Sequence, residues 1–494
     1  MIFDISQLAE QNPWWIDKLA ILKDSKLVKL SKAKYQWNPA IGHYIDLEID
    51  TIYVMRGPRQ VGKTTFMKKM IKKLLSRGIK PENVFYWSFE RNNTEDLHQI
   101  IKIYLDWRIK SKDERKYIFL DEICGVNNWS NELVSFANNQ SFLNCSLLVT
   151  GSHSMDLKHS TERMPGRRGG SGEIPLDIIF LPMKFSEFIS LVWPEFITKR
   201  RGLGILDGKQ RREKLLSLFD GKIDSDIENL LLYKKELDAY LEIYLHTGGI
   251  PLIINEYLEK GEISTNSFNI YLTSIIGNLN KFRYKEQYFK EIIREIINTL
   301  STPVSWNGLK DKIDIIKTHV TVQDYAIALE ELYIANITFK LDYSKQKLDF
   351  KSNKKIYVQD PFLFHALHGW SNGKTNYFRN IKENLLNLEM KSKLIECIVH
   401  NHLCRLSYCL NPRDLFNPKD TVAYYRDNKD KEIDFILSFD DKYYPFEVKY
   451  QNAIRNSDFN CFFPFKKGVL ITKNEFGIYK NYVKLPVSIF LLLV

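Results

Sequence analysis

The 494-residue sequence predicts an α/β protein of several domains. Its length is about three times the ~150 residues of a typical domain. A strand, a glycine-rich loop and a helix follow one another at residues 51–77. Near the C-terminal end, a series of short strands follows a helix. Two separate α/β regions in one long chain therefore predict an α/β multidomain architecture.

The composition excludes several classes of protein. With 44% hydrophobic and 13% aromatic residues the chain can bury cores, which excludes a disordered protein. No apolar run approaches the ~20 residues that cross a bilayer, and no basic region precedes an apolar stretch at the N-terminus. We therefore expect a cytoplasmic protein with no membrane partner. The six cysteines form no Cys-x-x-Cys pair, which disfavours a disulfide framework or a zinc knuckle.

The formal net charge of +11 is unevenly distributed. Residues 351–494 contain 22 Lys and Arg against 15 Asp and Glu, an excess of seven positive charges. A basic C-terminal module suggests a polyanion partner, most simply DNA. The alternative is a solvated, lysine-rich surface, and the charge alone does not separate the two.

The first predicted segment is an N-terminal arm, residues 1–44, with three notable tryptophans. Trp14, Trp15 and Trp37 lie in the stretches NPWW and YQWNP. Such side chains can stack on a base or fill a groove in a partner. Packing against the core that follows is the favoured interpretation.

The first strong motif is GPRQVGKT, residues 57–64, which matches G-x-x-x-x-G-K-[ST]. A β-branched strand precedes it, and a helix with apolar residues at helical spacing follows it. In this order, backbone N–H groups of the loop and the helix N-terminus face phosphate oxygens. We expect Lys63 to reach the β- and γ-phosphates of ATP and the Thr64 hydroxyl to hold Mg²⁺. The nucleotide-binding residues predicted here are Gly57, Pro58, Arg59, Gln60, Val61, Gly62, Lys63, Thr64 and Thr65.

An apolar strand that ends in two acids, KYIFLDEI, supplies the second part of a P-loop site. Asp121 is suited to the Mg²⁺ side of the nucleotide, and Glu122 could polarise the attacking water. A glutamate at this point favours hydrolysis over simple binding. The alternative is an ordinary strand end that carries two acids.

Two further polar features follow the next strand, SLLVTGSHS. Ser152, at its tip, is a candidate sensor of the γ-phosphate, although a plain turn serine is nearly as good an interpretation. Arg167 and Arg168 lie in the glycine-rich segment MPGRRGG. Either could neutralise charge on the phosphates, in cis or from a neighbouring subunit of a homo-oligomer, and a solvated loop is the alternative.

Together GPRQVGKTT, FLDEI, LLVTGSHS, GRRG, FLPMKFSEF and HTGGIPLIINEYL resemble prokaryotic predicted P-loop ATPases of the AAA+/STAND type. The resemblance implies a parallel-sheet ATPase core at 45–200 and a helical lid at 201–284. It also implies a winged helix and a restriction-endonuclease-like domain after the lid. In the lid, Gly248 to Pro251 match a family motif, and the resemblance implies that Pro251 contacts the adenine.

The residues of the predicted winged helix, 285–350, support that interpretation without the family. An amphipathic helix ends near Thr302-Pro303, a short helix follows, and residues 320–337 predict a third helix with Thr321 as its N-cap. The segments ITFKLDY and KLDFKS would form the wing. The N-terminal end of the third helix carries Asp324 and no Lys or Arg, so a structural or protein-binding role is slightly favoured over DNA reading.

The second strong signal lies in residues 351–494. The predicted strands are TVAYYR, EIDFILS, YYPFEVKY, GVLIT and VSIFLLLV. A hairpin that turns at Asp440-Asp441 would bring Asp434 beside Glu447 and Lys449, which share one face of their strand. Two carboxylates and a lysine at one place form a candidate metal-dependent site for phosphodiester cleavage.

This pattern resembles the PD-(D/E)XK nuclease fold. In that fold an upstream helix adds a further acid, here Glu396, and Gln451 could complete the edge of the site. The predicted ligands of Mg²⁺ or Mn²⁺ are Glu396, Asp434 and Glu447, and Lys449 is the predicted catalytic cation. A surface hairpin with charged residues is the alternative, and the fold is a safer expectation than cleavage.

Two functional hypotheses follow from the sequence. The first is an ATP-binding and ATP-hydrolysing protein associated with DNA, with a metal-dependent nuclease-like C-terminal domain. The second is a STAND-like switch controlled by nucleotide, whose nuclease-like domain only binds DNA or protein. ATP and Mg²⁺ are the expected cofactors in both.

Overall fold

The computed structural model describes residues 4–90, 96–111, 113–151, 164, 166, 168–170, 175–202, 208–281, 283–410 and 417–494. The chain forms two compact units, and the division between them falls after Leu181. The predicted core, 45–200, extends across this division. Within the described ranges we find no helix that could span a membrane.

The first unit is an α/β layer structure. Its strands are β1 (Thr51–Arg56), β2 (Val84–Ser88), β3 (Lys116–Asp121), β4 (Cys145–Thr150) and β5 (Asp177–Ile179). Its described helices are α1 (Ile5–Gln11), α2 (Ser25–Lys32), α3 (Lys63–Ser76), α4 (Asp96–Trp107) and α5 (Trp129–Asn138). The five strands are all parallel, in the order β2-β3-β4-β1-β5. All residues of β1, β3 and β4 are buried, because helices or the N-terminal arm cover both faces of the sheet.

The strand order brings two predicted site segments to one edge of this sheet. β4 lies between β1 and β3, as expected for a strand beside the acid-bearing strand. The glycine-rich loop follows β1, and Asp121 ends β3. Since carboxyl ends of parallel strands meet at one edge, the loop and the acids lie near one another, on either side of the end of β4.

The N-terminal arm packs on this unit, which confirms the favoured interpretation. Trp14 is 1% exposed, and its Nε1 donates to the carbonyl oxygen of Val84 at 2.9 Å. The Nε1 of Trp15 donates to the same oxygen at 3.0 Å. The side chain of Asn12 pairs with both backbone groups of Tyr86. These hydrogen bonds anchor the arm to β2, at the edge of the sheet.

The second unit contains many more elements. Its strands are β6 (Ala335–Thr338), β7 (Lys340–Asp342), β8 (Lys347–Asp349), β9 (Lys355–Val358), β10 (Val422–Arg426), β11 (Glu432–Phe439), β12 (Lys442–Lys449), β13 (Gly468–Thr472), β14 (Gly477–Tyr479) and β15 (Tyr482–Pro486). Its described helices are α6 (Phe185–Val192), α7 (Glu195–Gly202), α8 (Gly208–Phe219), α9 (Ser225–Asn229), α10 (Lys234–Thr247), α11 (Pro251–Lys260), α12 (Thr265–Lys281), α13 (Glu286–Asn298), α14 (Trp306–Lys310), α15 (His319–Glu331), α16 (Pro361–Ser371), α17 (Tyr377–Leu386), α18 (Leu388–Leu410) and α19 (Val487–Leu493).

Helices α13 to α15 and a small antiparallel sheet form one part of this unit. β6 pairs with β9, and Val304 forms a bridge with Lys354. The predicted N-cap Thr321 is wrong, because Thr318 caps α15 and accepts the N–H of Thr321. The predicted wing is only partly right. ITFKLDY is divided between β6 and β7, and the hairpin β7–β8 joins the larger sheet through β10.

The larger sheet has eight strands in the order β14-β15-β13-β12-β11-β10-β7-β8. β10, β11 and β12 form an antiparallel meander, and β13 joins β12 in parallel. Asp440 and Asp441 both adopt positive φ, of 50° and 55°, at the predicted β11–β12 turn. The predicted last strand is wrong, because VSIFLLL forms the helix α19. Its residues are all buried, and such an apolar run has no periodicity that separates a strand from a helix.

Candidate functional site

The glycine-rich loop between β1 and α3 needs glycine at two places. Gly62 is the N-cap of α3 and has a φ of 105°, which other residues rarely adopt. A Cβ on Gly57 would lie 1.9 Å from the carbonyl oxygen of Phe180. The loop can therefore wrap tightly before the helix, and it leaves the N-terminus of α3 free to face an anion.

Lys63 lies inside this loop. Its side chain is buried, and its Nζ donates to the carbonyl oxygens of Gly57 at 2.9 Å and Pro58 at 2.7 Å. Burial lowers the pKa of Lys63 to about 8, although the negative charges of Glu122 and Asp121 act in the opposite direction. Phosphate oxygens would replace these two carbonyl groups as acceptors for the ammonium group.

Asp121 lies at the centre of a second set of contacts. It is 2% exposed, its Oδ2 accepts a hydrogen bond from the Tyr86 hydroxyl at 3.0 Å, and the Thr64 side chain acts to lower the pKa of its carboxyl group. Burial raises the pKa of Asp121. The N–H of Glu122 donates to Asp121 Oδ1 at 3.1 Å, and Glu122 has a φ of 53°. The structure thus brings together the residues that the sequence predicts, and it adds Tyr86 through the β2–β3 register, which no local motif reveals.

The oxygen atoms of Thr64 and Asp121 fit a magnesium ion. Hydroxyl and carboxylate oxygens are hard ligands, and Mg²⁺ keeps most of its coordination sphere for water and phosphate oxygens. A bound ion would neutralise charge on the phosphates.

The two predicted arginines have different outcomes. Arg167 and the predicted sensor Ser152 lie outside the described residues. Arg168 is buried, its Nη1 is 3.0 Å from Asp177 Oδ1, and its Nε donates to the Ile52 carbonyl oxygen at 3.1 Å. An arginine held in a buried ion pair cannot reach a phosphate, so Arg168 is removed from the candidates for a catalytic arginine.

The segment from Gly248 to Pro251 belongs to the second unit. Pro251 is the first residue of α11, and the N–H of Gly249 donates to Asp360 Oδ2 at 2.8 Å. A Cβ on Gly249 would lie 2.0 Å from the carbonyl oxygen of Met183. Burial raises the pKa of Asp360 to about 6. These contacts explain the two glycines by packing, and the adenine contact of Pro251 stays a prediction.

The hairpin β11–β12 brings the predicted C-terminal residues together. The N–H of Asp434 donates to Glu447 Oε2 at 3.1 Å, and the N–H of Val448 donates to Asp434 Oδ2 at 3.0 Å. Lys449 Nζ is 2.5 Å from Glu447 Oε1. Burial and the nearby charge of Asp434 raise the pKa of Glu447. Gln451 does not join this cluster, because its side-chain amide bonds Ala453 and Asp458.

A lysine that no sequence motif indicates lies against two of the three predicted metal ligands, Glu396 and Asp434. Lys355, on β9, is 0% exposed. Its ammonium nitrogen lies 2.7 Å from Glu432 Oε1, 3.0 Å from Asp434 Oδ1 and 3.4 Å from Glu396 Oε1. Tyr357 also donates to Glu396 Oε1, at 2.8 Å. The one local signal was a lysine at the start of an otherwise apolar strand, KIYV.

The assignment of Glu396, Asp434 and Glu447 as metal ligands stays a prediction. In the described part of the chain, no three His, Cys, Asp or Glu side chains are grouped so as to hold a metal ion. The ammonium nitrogen of Lys355 lies 3.0 Å from Asp434 and 3.4 Å from Glu396, where a metal ion would also meet these two carboxylates. Burial lowers the pKa of Lys355, but the anionic groups around it raise that pKa well above its usual value.

Three family models match separate parts of the chain. An AAA domain matches residues 50–189. A domain of unknown function (DUF8612) matches residues 238–374, and another domain of unknown function (DUF4143) matches residues 391–490. With the parallel sheet and the P-loop, the first match makes this region an AAA-type ATPase domain with a P-loop NTPase fold.

Similar whole proteins are distant. An uncharacterized protein of Haemophilus influenzae is 27% identical over 148 residues, which cover 29% of this chain and 34% of that protein. The Walker-type ATPase paby2304 of Pyrococcus abyssi is 13% identical, with a TM-score of 0.38 over 64% of this chain and 90% of that one. The Aeropyrum pernix ORC1 protein in complex with DNA is 12% identical, with a TM-score of 0.26 over 74% of this chain and 92% of that one. Neither structural likeness is close enough to say more about this chain.

Proposed function

We propose that this protein hydrolyses ATP with Mg²⁺ at the P-loop of its first unit and binds DNA through its second unit. The observation that carries the proposal is the cluster of Lys63, Thr64 and Asp121. Its ammonium group, hydroxyl and carboxylate lie at the end of two parallel strands, beside the N-terminus of α3. This is the chemistry that phosphoryl transfer requires: a cation for the phosphates and oxygen ligands for the metal.

Glu122 is the proposed general base for the attacking water. It follows Asp121 directly, and its backbone adopts a left-handed conformation that turns the chain away from the strand. Its charge also acts on Lys63, which supports a position near the phosphates. Ser152 as a γ-phosphate sensor, Pro251 as an adenine contact, and Arg167 or a neighbouring subunit as the source of an arginine remain parts of the proposal.

The ATPase assignment is tested by two substitutions in α3. Lys63→Ala should abolish ATP turnover, because it removes the ammonium group that donates to the Gly57 and Pro58 carbonyl oxygens inside the loop. Lys72→Ala is the matched control, since Lys72 is an exposed lysine of the same helix. Turnover that survives in Lys63→Ala, or that falls equally in both variants, would remove the assignment.

Glu122→Gln separates hydrolysis from binding. If Glu122 is the base, this variant should bind a fluorescent ATP analogue like the wild type while its turnover falls by about 10²–10⁴-fold. Normal turnover in Glu122→Gln would assign the water to another residue.

The second unit supports DNA association through shape and charge. Helices α13 to α15, the β6–β9 pair and the Val304–Lys354 bridge have the element order of a winged helix. The β7–β8 hairpin carries exposed Lys345 and Lys347, and the C-terminal third of the chain has the larger positive excess. Such a surface attracts a phosphate backbone without regard to base sequence.

DNA binding is tested by fluorescence anisotropy with labelled duplex DNA over a series of salt concentrations. Lys345→Glu/Lys347→Glu should weaken binding and reduce the salt dependence. Lys26→Glu/Lys29→Glu is the control, because it reverses two exposed charges of the first unit. Equal affinity of both variants for DNA would exclude the β7–β8 hairpin as the binding surface. No binding by the wild type would exclude DNA as the partner.

A second candidate function is a nucleotide-controlled switch whose nuclease-like domain binds DNA or protein without cutting. A specific observation favours it: Lys355 occupies the carboxylate cluster where metal-dependent cleavage would need an ion. ATP turnover that increases with protein concentration, without nicked DNA, would support this switch and an arginine donated by a neighbouring subunit.

A further inference from the structure

The carboxylate cluster of the second unit has few free oxygen atoms. Asp434 uses Oδ1 for Lys355 and Oδ2 for the Val448 N–H. Glu447 uses Oε1 for Lys449 and Oε2 for the Asp434 N–H. These are all the oxygens of two of the three carboxylates that the sequence assigns to a metal. An ion bound by both of them would have to displace or lie beside the ammonium groups of Lys355 and Lys449.

The ammonium group of Lys355 has the contacts of a bound cation. It is fully buried, and three carboxylate oxygens from α18 and β11 surround it at 2.7 to 3.4 Å. The side chain comes from β9, a strand outside the eight-stranded sheet. One lysine therefore links the β6–β9 pair, the helix α18 and the strand β11.

We infer that Lys355 is the resident cation of this site, and that it takes the place of the divalent metal a PD-(D/E)XK nuclease would need. The inference rests on the nuclease-like interpretation in the proposed function and deepens it. The site then holds the winged-helix part to the nuclease-like domain and does not cleave DNA. Removal of Lys355 should leave Glu396, Glu432 and Asp434 without their shared counter-ion, and such oxygens bind hard divalent cations.

Two other consequences follow from charge. The unpaired carboxylates would destabilise a variant without Lys355, because buried charges without partners are costly. A divalent cation should reverse that cost by binding to the folded state. The wild-type protein should show no such response, since its cluster already contains a cation.

Mn²⁺ binding tests the inference, measured by electron paramagnetic resonance on the full-length protein without nucleotide. We expect no Asp434-dependent binding to the wild type. Lys355→Ala should gain one Mn²⁺ site, with an affinity about tenfold or more above that of the wild type. Lys355→Ala/Asp434→Asn should lose the gained site. Mn²⁺ should also raise the Tm of Lys355→Ala and not that of the wild type.

The opposite results overturn the inference. Mn²⁺ binding to the wild type that Asp434→Asn abolishes would show that Lys355 does not exclude the ion. No gain in Lys355→Ala would show that Lys355 is not what occupies the site. Should Lys355→Ala fail to fold, the wild type and Asp434→Asn decide, because a Tm that falls in EDTA and recovers in Mn²⁺ in the wild type, and not in Asp434→Asn, contradicts a resident lysine.

The test is independent of the proposed function. ATP turnover and DNA anisotropy are measured on the same wild-type preparation. Loss of either would count against the proposed function and leave the Mn²⁺ result interpretable. Mn²⁺-dependent nicking of supercoiled DNA by the wild type, absent in Asp434→Asn, would overturn the inference while ATP hydrolysis stood.

Discussion

Replacement of Arg168 separates a structural arginine from a catalytic one. Its guanidinium lies 3.0 Å from Asp177 Oδ1, with side-chain exposures of 9% and 2% for the two residues. Arg168→Ala removes this ion pair and the hydrogen bond from Nε to the Ile52 carbonyl oxygen. We expect the variant to lose stability and to keep ATP turnover at a temperature where it is folded.

The size of the stability loss in Arg168→Ala depends on the burial of the ion pair. Breaking a buried ion pair by removal of one partner costs about 3–5 kcal/mol. Arg56 Nη2 stays 3.8 Å from Asp177 Oδ2 and partly compensates, so we expect the lower end, about 3 kcal/mol. For a unit of this size, about 2–4 °C of Tm is lost per kcal/mol, which predicts a fall of about 6–12 °C.

The assay is thermal unfolding of the full-length protein, in the transition that ATP shifts. Arg115→Ala is the matched control. Arg115 Nη1 lies 2.9 Å from Asp50 Oδ1 on the same unit, but the two side chains are 23% and 43% exposed. An exposed pair contributes about 1 kcal/mol or less, so the control should lose little stability.

The alternative role for Arg168 is a direct contact with the nucleotide. If Arg168→Ala keeps the wild-type Tm and loses ATP turnover, the guanidinium acts on the nucleotide and not on Asp177. The double variant Arg168→Ala/Asp177→Ala adds a further check. Its loss of stability should be smaller than the sum of the losses in the two single variants, because Arg168 and Asp177 share one ion pair.

Further predictions concern the loop and the response to acid. Gly57→Ala should abolish binding of a fluorescent ATP analogue, because its Cβ would meet the Phe180 carbonyl oxygen at 1.9 Å. Gly62→Ala should weaken binding of the analogue less, since a Cβ at residue 62 meets open space and only the φ of 105° is strained. Equal binding of the analogue by the two variants would contradict this difference. Burial lowers the pKa of His365 to about 3, so its contribution to stability is present above pH ~6.5 and is lost as pH falls toward 3. The free energy of unfolding, measured in urea at pH 7 and pH 5, should therefore fall less on acidification in His365→Gln than in the wild type. The difference should be about 1.4 kcal/mol for each pH unit below 6.5. An equal fall in both proteins would contradict burial of the neutral imidazole.

The sequence predicts the first unit well because its signals are local. The P-loop requires a fixed spacing of glycine, lysine and threonine within eight residues, and the strands before it and before Asp121 are uninterrupted apolar runs. The hairpin that joins Asp434 to Glu447 is equally local, since one turn at Asp440-Asp441 fixes its register.

The errors arise where contacts are distant or patterns are ambiguous. Lys355 lies 41 positions before Glu396 and 79 before Asp434, so no spacing rule connects them. Arg168 finds Asp177 only because β5 pairs with β1. The pattern of VSIFLLLV predicts a strand where the chain forms the helix α19, because a wholly buried apolar run carries no helical period.

A single reaction measures ATP hydrolysis by the first unit and DNA cleavage by the second. Supercoiled DNA is incubated with ATP, Mg²⁺ and Mn²⁺, and ATP turnover and DNA nicking are measured together for the wild type, Lys63→Ala and Asp434→Asn. We expect the wild type and Asp434→Asn to consume ATP, Lys63→Ala to consume none, and the DNA to stay supercoiled in all three. ATP consumption by Lys63→Ala would contradict hydrolysis at the P-loop. Nicked circles with the wild type that are absent with Asp434→Asn would contradict a second unit that does not cleave DNA.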